Sequence, residues 1–164
     1  MPRALKKSPT LAVDNPARRR LPILLRRAWY GLNQAFRRRI AHTGVTPDQF
    51  TALRTLMECD PVGLPQSELT RLMASDPNTI ASLVERMNTA GFVDRQTHER
   101  DRRAYRIKIK PLGRKKYEEV REIAIGLQTE ILTGLPADRR ENFLEELARV
   151  ADACQLTAEN SPRK

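Results

Sequence analysis

The sequence predicts a mainly α fold carrying one small β-hairpin. Apolar residues recur at three- and four-residue steps through most of the chain, and one short stretch near residue 105 alternates instead. Proline, glycine and capping residues punctuate the boundaries between these stretches. A chain of 164 residues is long enough for one well-cored domain and too short to expect two independent ones.

Residues 1–20 are rich in Pro, Lys and Arg and lack periodicity, which predicts a basic, disordered arm. Its Arg18, Arg19 and Arg20 could add contacts to an anionic partner. From Leu21 the pattern turns helical. Leu21, Leu25, Ala28, Leu32, Ala35, Phe36 and Ile40 form a stripe, with Arg26, Arg27, Arg37, Arg38 and Arg39 mostly outside it, and Gly44 closes the helix.

The second helix opens at Thr46-Pro47-Asp48-Gln49. Thr46 can cap the amide three residues on while Gln49 reaches back, and Pro47 takes the first helical position, where a missing N–H costs nothing. Val45 and Phe50 stand at staple spacing, and Phe50, Leu53 and Leu56 bury one face. Gly63 to Pro65 break the chain before a short helix with Leu69, Leu72 and Met73 inward. Asp76 and Pro77 then open a helix that stops at Gly91, with Ile80, Leu83, Val84 and Met87 as its buried stripe. The opposite side carries Asn78, Ser82 and Glu85, flanked by Thr79 and Arg86.

Phe92 to Gln96 and Ala104 to Lys110 read as paired strands. In the second, Tyr105, Ile107 and Ile109 alternate with Arg106, Lys108 and Lys110, giving one apolar and one basic face. Pro111 ends the strand. An amphipathic helix is expected from Gly113 to Thr133, carrying Tyr117, Val120, Ile123, Ala124, Leu127 and Ile131. Gly134 and Pro136 separate it from a last helix with Phe143, Leu144, Leu147, Val150 and Ala151, and residues 156–164 read as a frayed tail.

Thirty basic residues against twenty acidic give a formal charge of +10, a field that draws nucleic acid or an anionic membrane surface. No apolar run approaches the roughly 18 residues that would span a bilayer, and the N-terminal segment has no apolar secretory core. Cys59 and Cys154 are the only cysteines, so no disulfide framework is implied and a cytoplasmic setting is expected. Each reads as a buried, inert thiol. His42 and His98 lie far apart, and neither sits among cysteines or carboxylates at ligand spacing, so no metal site is expected. There is no glycine-rich phosphate loop and no nucleophile–base grouping, so neither catalytic residues, an enzyme activity nor a cofactor is expected.

Two helices joined by a tight Met73-Ala74-Ser75 link, the second opening with small polar residues, follow helix-turn-helix logic. Asn78, Thr79 and Ser82 are short enough to let a helix sink into a DNA major groove, and Asn can address adenine in bidentate fashion. The same first turn also serves as a good cap. The hairpin tip, His98-Glu99-Arg100-Asp101-Arg102-Arg103, is dense in arginine, which suits a narrow minor groove as well as a solvated turn. A carboxylate at Asp101 can bridge to the Arg103 guanidinium and fix the loop's shape.

The chain resembles the MarR family of winged helix-turn-helix transcription regulators over roughly Leu21 to Cys154. The segments that carry the resemblance are TPDQFTALRTL, QSELTRLM, DPNTIASLVERMNTAGFVDR and DRRAYRIKI, the last followed by Gly113. The Asp-x-Arg pair of Asp101 and Arg103, at its distance from Gly91, is specific only in this combination. The resemblance implies a single domain over 21–155. A winged helix-turn-helix core, about 46–111, would lie between N- and C-terminal dimerisation helices, about 21–43 and 112–155. It implies a homodimer on a near-palindromic operator of double-stranded DNA, with a small-molecule or oxidant cue. The arginines of the first helix could draw an anionic effector such as an aromatic carboxylate, which would release a repressor. The DNA-binding residues are then expected to be Gln66, Ser67, Asn78, Thr79, Ser82, Arg86, Asp101, Arg102, Arg103, Arg106 and Lys108. Trp29, Tyr30 and Arg26 fall where an effector crevice would be partly lined, and packing explains the two aromatics equally well.

Three sites depart from the family pattern. Ala81 and Ser82 stand where Thr and Arg are frequent, Pro65 replaces a capping Ser or Thr, and Ile109-Lys110 replaces a Leu-Thr pair. The first removes a guanine-reading arginine and leaves room for a nonspecific architectural DNA binder. A winged-helix protein-interaction adaptor is a third reading, against which the basic hairpin argues.

Overall fold

The computed structural model describes residues 20–98 and 101–162, and at 98 and 101–104 it describes the backbone alone. The described residues form two compact units, one ending at Ile125 and the other beginning at Gly126.

In the first unit, helix α1 spans Leu21–Ile40 and continues as a single 3₁₀ turn to Thr43. The Thr43 hydroxyl donates to the Ile40 carbonyl at 2.7 Å and accepts from the Val45 amide at 3.2 Å. The first satisfies a carbonyl that the helix end leaves orphaned. Helix α2, Pro47–Glu58, begins with the capping box read from the sequence: the Gln49 amide donates to Thr46 Oγ1 and the Thr46 amide to Gln49 Oε1. Val45 and Phe50 are both buried, as the staple requires.

Strand β1 is only Leu64–Pro65, followed by α3, Gln66–Leu72, and α4, Pro77–Thr89. Gly91 adopts φ +75°, the left-handed stop that its position demanded. Strands β2, Val93–His98, and β3, Asp101–Ile109, pair antiparallel, and β1 adds to the far side of β3, giving the order β1-β3-β2. Helix α5, Pro111–Leu132, then starts at a proline in its first position.

The core of this unit is closed by the chain itself. Leu53, Leu69, Val84, Met87, Val93, Ile107 and Val120 are fully buried, each removal from water stabilising by about 1.5–3 kcal/mol for the larger side chains. Phe50 meets Phe36 edge-on at 5.3 Å between centroids and stacks with Tyr117 at 5.7 Å, tying α1 and α5 to α2. Lys116 donates to the Thr43 carbonyl at 2.7 Å. Arg114 grips Asp60 in the turn after α2 through two hydrogen bonds, which hold the Asp60 carboxyl below the usual carboxylate range.

The second unit contains the end of α5 and helix α6, Arg140–Glu159, and no residue of α6 is buried.

Several expectations change. Leu72, expected inward on α3, is exposed, and so is Cys154, expected buried. Strand β1 was not foreseen; its two residues pair with Ile107 and Arg106, a contact that no local period announces. The hairpin is longer than read, because backbone pairing extends to His98 and Asp101 through a register shift at Thr97/His98, whatever charges the side chains carry. Helix α6 runs to Glu159 where fraying was expected, with i,i+4 bonds from Gln155 to Glu159 and from Thr157 to the Ala153 carbonyl. Among the described residues no helix is long and apolar enough to cross a membrane.

Candidate nucleic-acid interface

The surface with the most built-in order is the start of α4. Asp76 caps it: one carboxylate oxygen accepts from the amides of Asn78 and Thr79 at 3.0 and 2.9 Å, the other from the Thr79 hydroxyl at 2.5 Å. The Thr79 side-chain bond, then its amide, hold the Asp76 carboxyl below its ordinary range, so the cap stays ionised. The link before it is tight. Ser75 donates to the Thr70 carbonyl at 3.2 Å, and Ala74 takes φ +47°, unusual for a residue with a Cβ.

With Ile80, Leu83, Val84 and Met87 buried, α4 turns Asn78, Thr79, Ser82, Glu85 and Arg86 outward, all exposed. Thr79 differs from its expected role in one respect: its hydroxyl proton is committed to Asp76, which leaves its methyl group and spare lone pair for an incoming partner. At the start of α3, Ser67 is exposed, while Gln66 is half-buried with Oε1 lacking a hydrogen-bond partner.

Strand β3 separates its two faces as read. Ile107 and Ile109 are buried, and Arg106, Lys108 and Lys110 occupy the other face. Arg106 is not simply free for a polyanion. Its guanidinium donates to the carbonyls of Val62 and Gly63 at 3.4 and 3.3 Å, which holds it against the turn before β1. Lys108 is half-buried beside Gly63. The backbone places Asp101 opposite His98 at the end of the ladder. The side chains of His98, Asp101, Arg102 and Arg103 lie outside the described residues, as do Glu99, Arg100 and the arm with Arg18 and Arg19. Trp29 and Tyr30 on α1 are 62% and 66% exposed, and Arg26 stands exposed on the same helix.

One residue was missed. Arg95 on β2 lies with its guanidinium carbon 3.7 Å from the centre of the Tyr105 ring and donates to Glu85 of α4 at 3.3 Å. The signal was present in the alternation. Val93, Arg95 and Thr97 share one face of β2, opposite Ile109, Ile107 and Tyr105, and an arginine on an apolar strand face needs a partner.

Comparison with known proteins agrees with this geometry. The MarR family model matches residues 45–105, from the staple residue of α2 to Tyr105. A protein of Pseudomonas aeruginosa described as a "probable transcriptional regulator" is 31% identical, with 79% of this chain and 96% of that chain covered and a TM-score of 0.65. The transcriptional repressor CouR, bound to a 23-mer DNA duplex, is 24% identical over 80% of this chain and 92% of its own, with a TM-score of 0.71. Bordetella bronchiseptica BpsR, whose DNA binding is regulated by 6-hydroxynicotinic acid, is likewise 24% identical, over 80% and 93%, with a TM-score of 0.73. No curated protein matches the chain. Taken with the capped α4, the three-stranded sheet and the basic hairpin strand, the family match and the 31% identical relative establish that this chain belongs to the MarR family of winged helix-turn-helix transcriptional regulators.

Proposed function

We propose that the chain is a homodimeric, sequence-specific DNA-binding repressor that a small aromatic or anionic effector releases from its operator. The observation that carries this reading is the pairing of a capped helix whose outer face is short and polar with a hairpin strand whose outer face is basic, on one closed core. Two copies related by a two-fold axis would set their α4 helices into successive major grooves roughly 34 Å apart. Asn78 and Ser82 would read base edges, with Thr79, Ser67 and Gln66 at the groove wall. Arg86, Arg102 and Lys108 would meet phosphates, and Arg103, steadied by Asp101, would enter the flanking minor groove. Arg106 would act from its seat on the turn.

Dimerisation through the flanking helices, about 21–43 and 112–155, is supported by their apolar exposure. Leu21, Leu24, Leu25 and Leu32 on α1 and Phe143, Leu147 and Leu156 on α6 all stand in solvent in the single chain. BpsR and CouR supply the precedent for an effector and for duplex DNA. Release requires a ligand with higher affinity for a dimer geometry whose helices no longer match the groove spacing. Trp29, Tyr30 and Arg26 are the side chains proposed to meet it.

Immunoprecipitation of bound genomic fragments tests the reading: a shared near-palindromic motif is expected, with retention that falls steeply as salt rises. Addition of aromatic acids should then release the fragments. Ser82, which stands where a guanine-reading arginine is frequent, favours one alternative, a nonspecific architectural binder. Random DNA competing as well as the recovered fragments would select it.

A further inference from the structure

We propose that Arg95 is the positioning residue that locks the hairpin to the recognition helix, through Glu85 of α4 and the Tyr105 ring of β3. The inference rests on the reading of α4 and the hairpin as one DNA-binding surface.

Arg95 is placed where a charge is costly. It pairs across the ladder with Ile107, which is fully buried, and its side chain is only 22% exposed. Its Nε is buried with no hydrogen-bond partner, a cost that an aliphatic residue at this position would not carry. The rest of the guanidinium offsets that cost: its carbon lies 3.7 Å from the Tyr105 ring centre, and Nη1 donates to Glu85 at 3.3 Å. A planar cation with divergent donors can stack on a ring and reach a carboxylate at once; an ammonium does not stack in this way.

The three residues come from the three elements whose mutual angle decides whether helix and hairpin fit adjacent grooves. Glu85 belongs to α4, Arg95 to β2 and Tyr105 to β3. The clamp has a second effect. Glu85 is 62% exposed on the same side of α4 as Asn78 and Ser82, so an unpaired carboxylate there would repel phosphates. Arg95 both holds it and neutralises it.

The test combines a DNA-independent and a DNA-dependent measurement on the full chain. In the free protein, Arg95→Met should speed amide exchange in β2 and β3 while leaving α2 and the thermal midpoint nearly unchanged. Equal exchange in both proteins overturns the clamp, whatever DNA does. On recovered operator fragments, Arg95→Met should weaken binding by about tenfold or more. Adding Glu85→Gln to it should recover part of the loss, because the repelling charge is gone. Tyr105→Leu should weaken binding too, and the double variant with Arg95→Met should lose little beyond the larger single effect. Fully additive losses, or undiminished binding by Arg95→Met, overturn the proposal. Wild-type protein that retains no DNA defeats the regulator reading, while the exchange experiment still decides the clamp. Should Arg95→Met fail to fold, Arg95→Lys, which keeps the charge and loses the flat stack, takes its place: exchange in β2 and β3 should still quicken and binding still weaken, while Glu85→Gln should then recover nothing.

Discussion

Between Val45 and Ile109 most apolar side chains are covered by the chain's own elements, with Val62 and Leu72 among the exceptions, whereas α1 and α6 leave most of theirs exposed. Leu53 and Ile107 are fully buried. Ile40 is the one buried residue of α1, and α6 has none. The helices of both regions show the same periodicity in sequence. The periodicity therefore states which face is apolar and leaves open whether the same chain supplies what covers it. The closed region carries the proposed reading head; the open helices are the ones proposed to meet a second copy.

The sharpest way to test that contrast is to damage each region. Leu53→Ala should lower the unfolding free energy by about 2–5 kcal/mol, the cost of a fully buried leucine and its cavity, measured by chemical denaturation. Phe143→Asp should leave the winged unit folded and shift the sedimentation coefficient toward that of a monomer. A Phe143→Asp protein that sediments as the wild type does would break the comparison. Next in size, Arg103→Ala should weaken operator binding by about 1–3 kcal/mol without changing the oligomer, separating the proposed reading head from the helices proposed to pair. Unchanged affinity would remove the hairpin tip from recognition.

Thr46→Ala, which deletes the capping box at the start of α2, should cost about 1 kcal/mol of stability. That loss should appear equally at every protein concentration, unlike one at a subunit interface. The smallest effect concerns pH. Arg114 holds the Asp60 carboxyl below its ordinary range in the folded chain, so the unfolded state binds this proton more tightly. The resulting stability is present above the unfolded pKa, about pH 4, and is lost as pH falls through the lower folded value. Asp60→Asn should reduce stability at neutral pH and flatten its decline in acid. An unaltered acid profile would show that the ion pair contributes nothing there.

Much of the frame was legible because its determinants are local. Thr46 and Gln49 lie within one turn, Asp76 caps amides two and three residues on, and Gly91 ends α4 by its own backbone freedom. What escaped reading depends on distant partners. β1 exists because Leu64 finds Ile107, and Arg95 is understood only when Glu85 and Tyr105 come beside it. Ala74 gives no chemical hint of its left-handed backbone. On the candidate surface, the outward placement of Asn78, Ser82 and Arg86 followed from a buried stripe that the sequence displays. The capture of Arg106 by two carbonyls did not follow, since the turn that offers them lies more than forty residues away.

The turn before β1 is held from two directions. Arg114 of α5 grips Asp60, and Gly63 is so close to β3 that an added Cβ would stand 2.5 Å from the Ile107 carbonyl oxygen. With its φ of +75°, Gly63 also leaves no other residue an unstrained fit. One short loop thus ties a helix to a strand: Arg114 of α5 holds it at Asp60, and Gly63 seats it against Ile107 of β3.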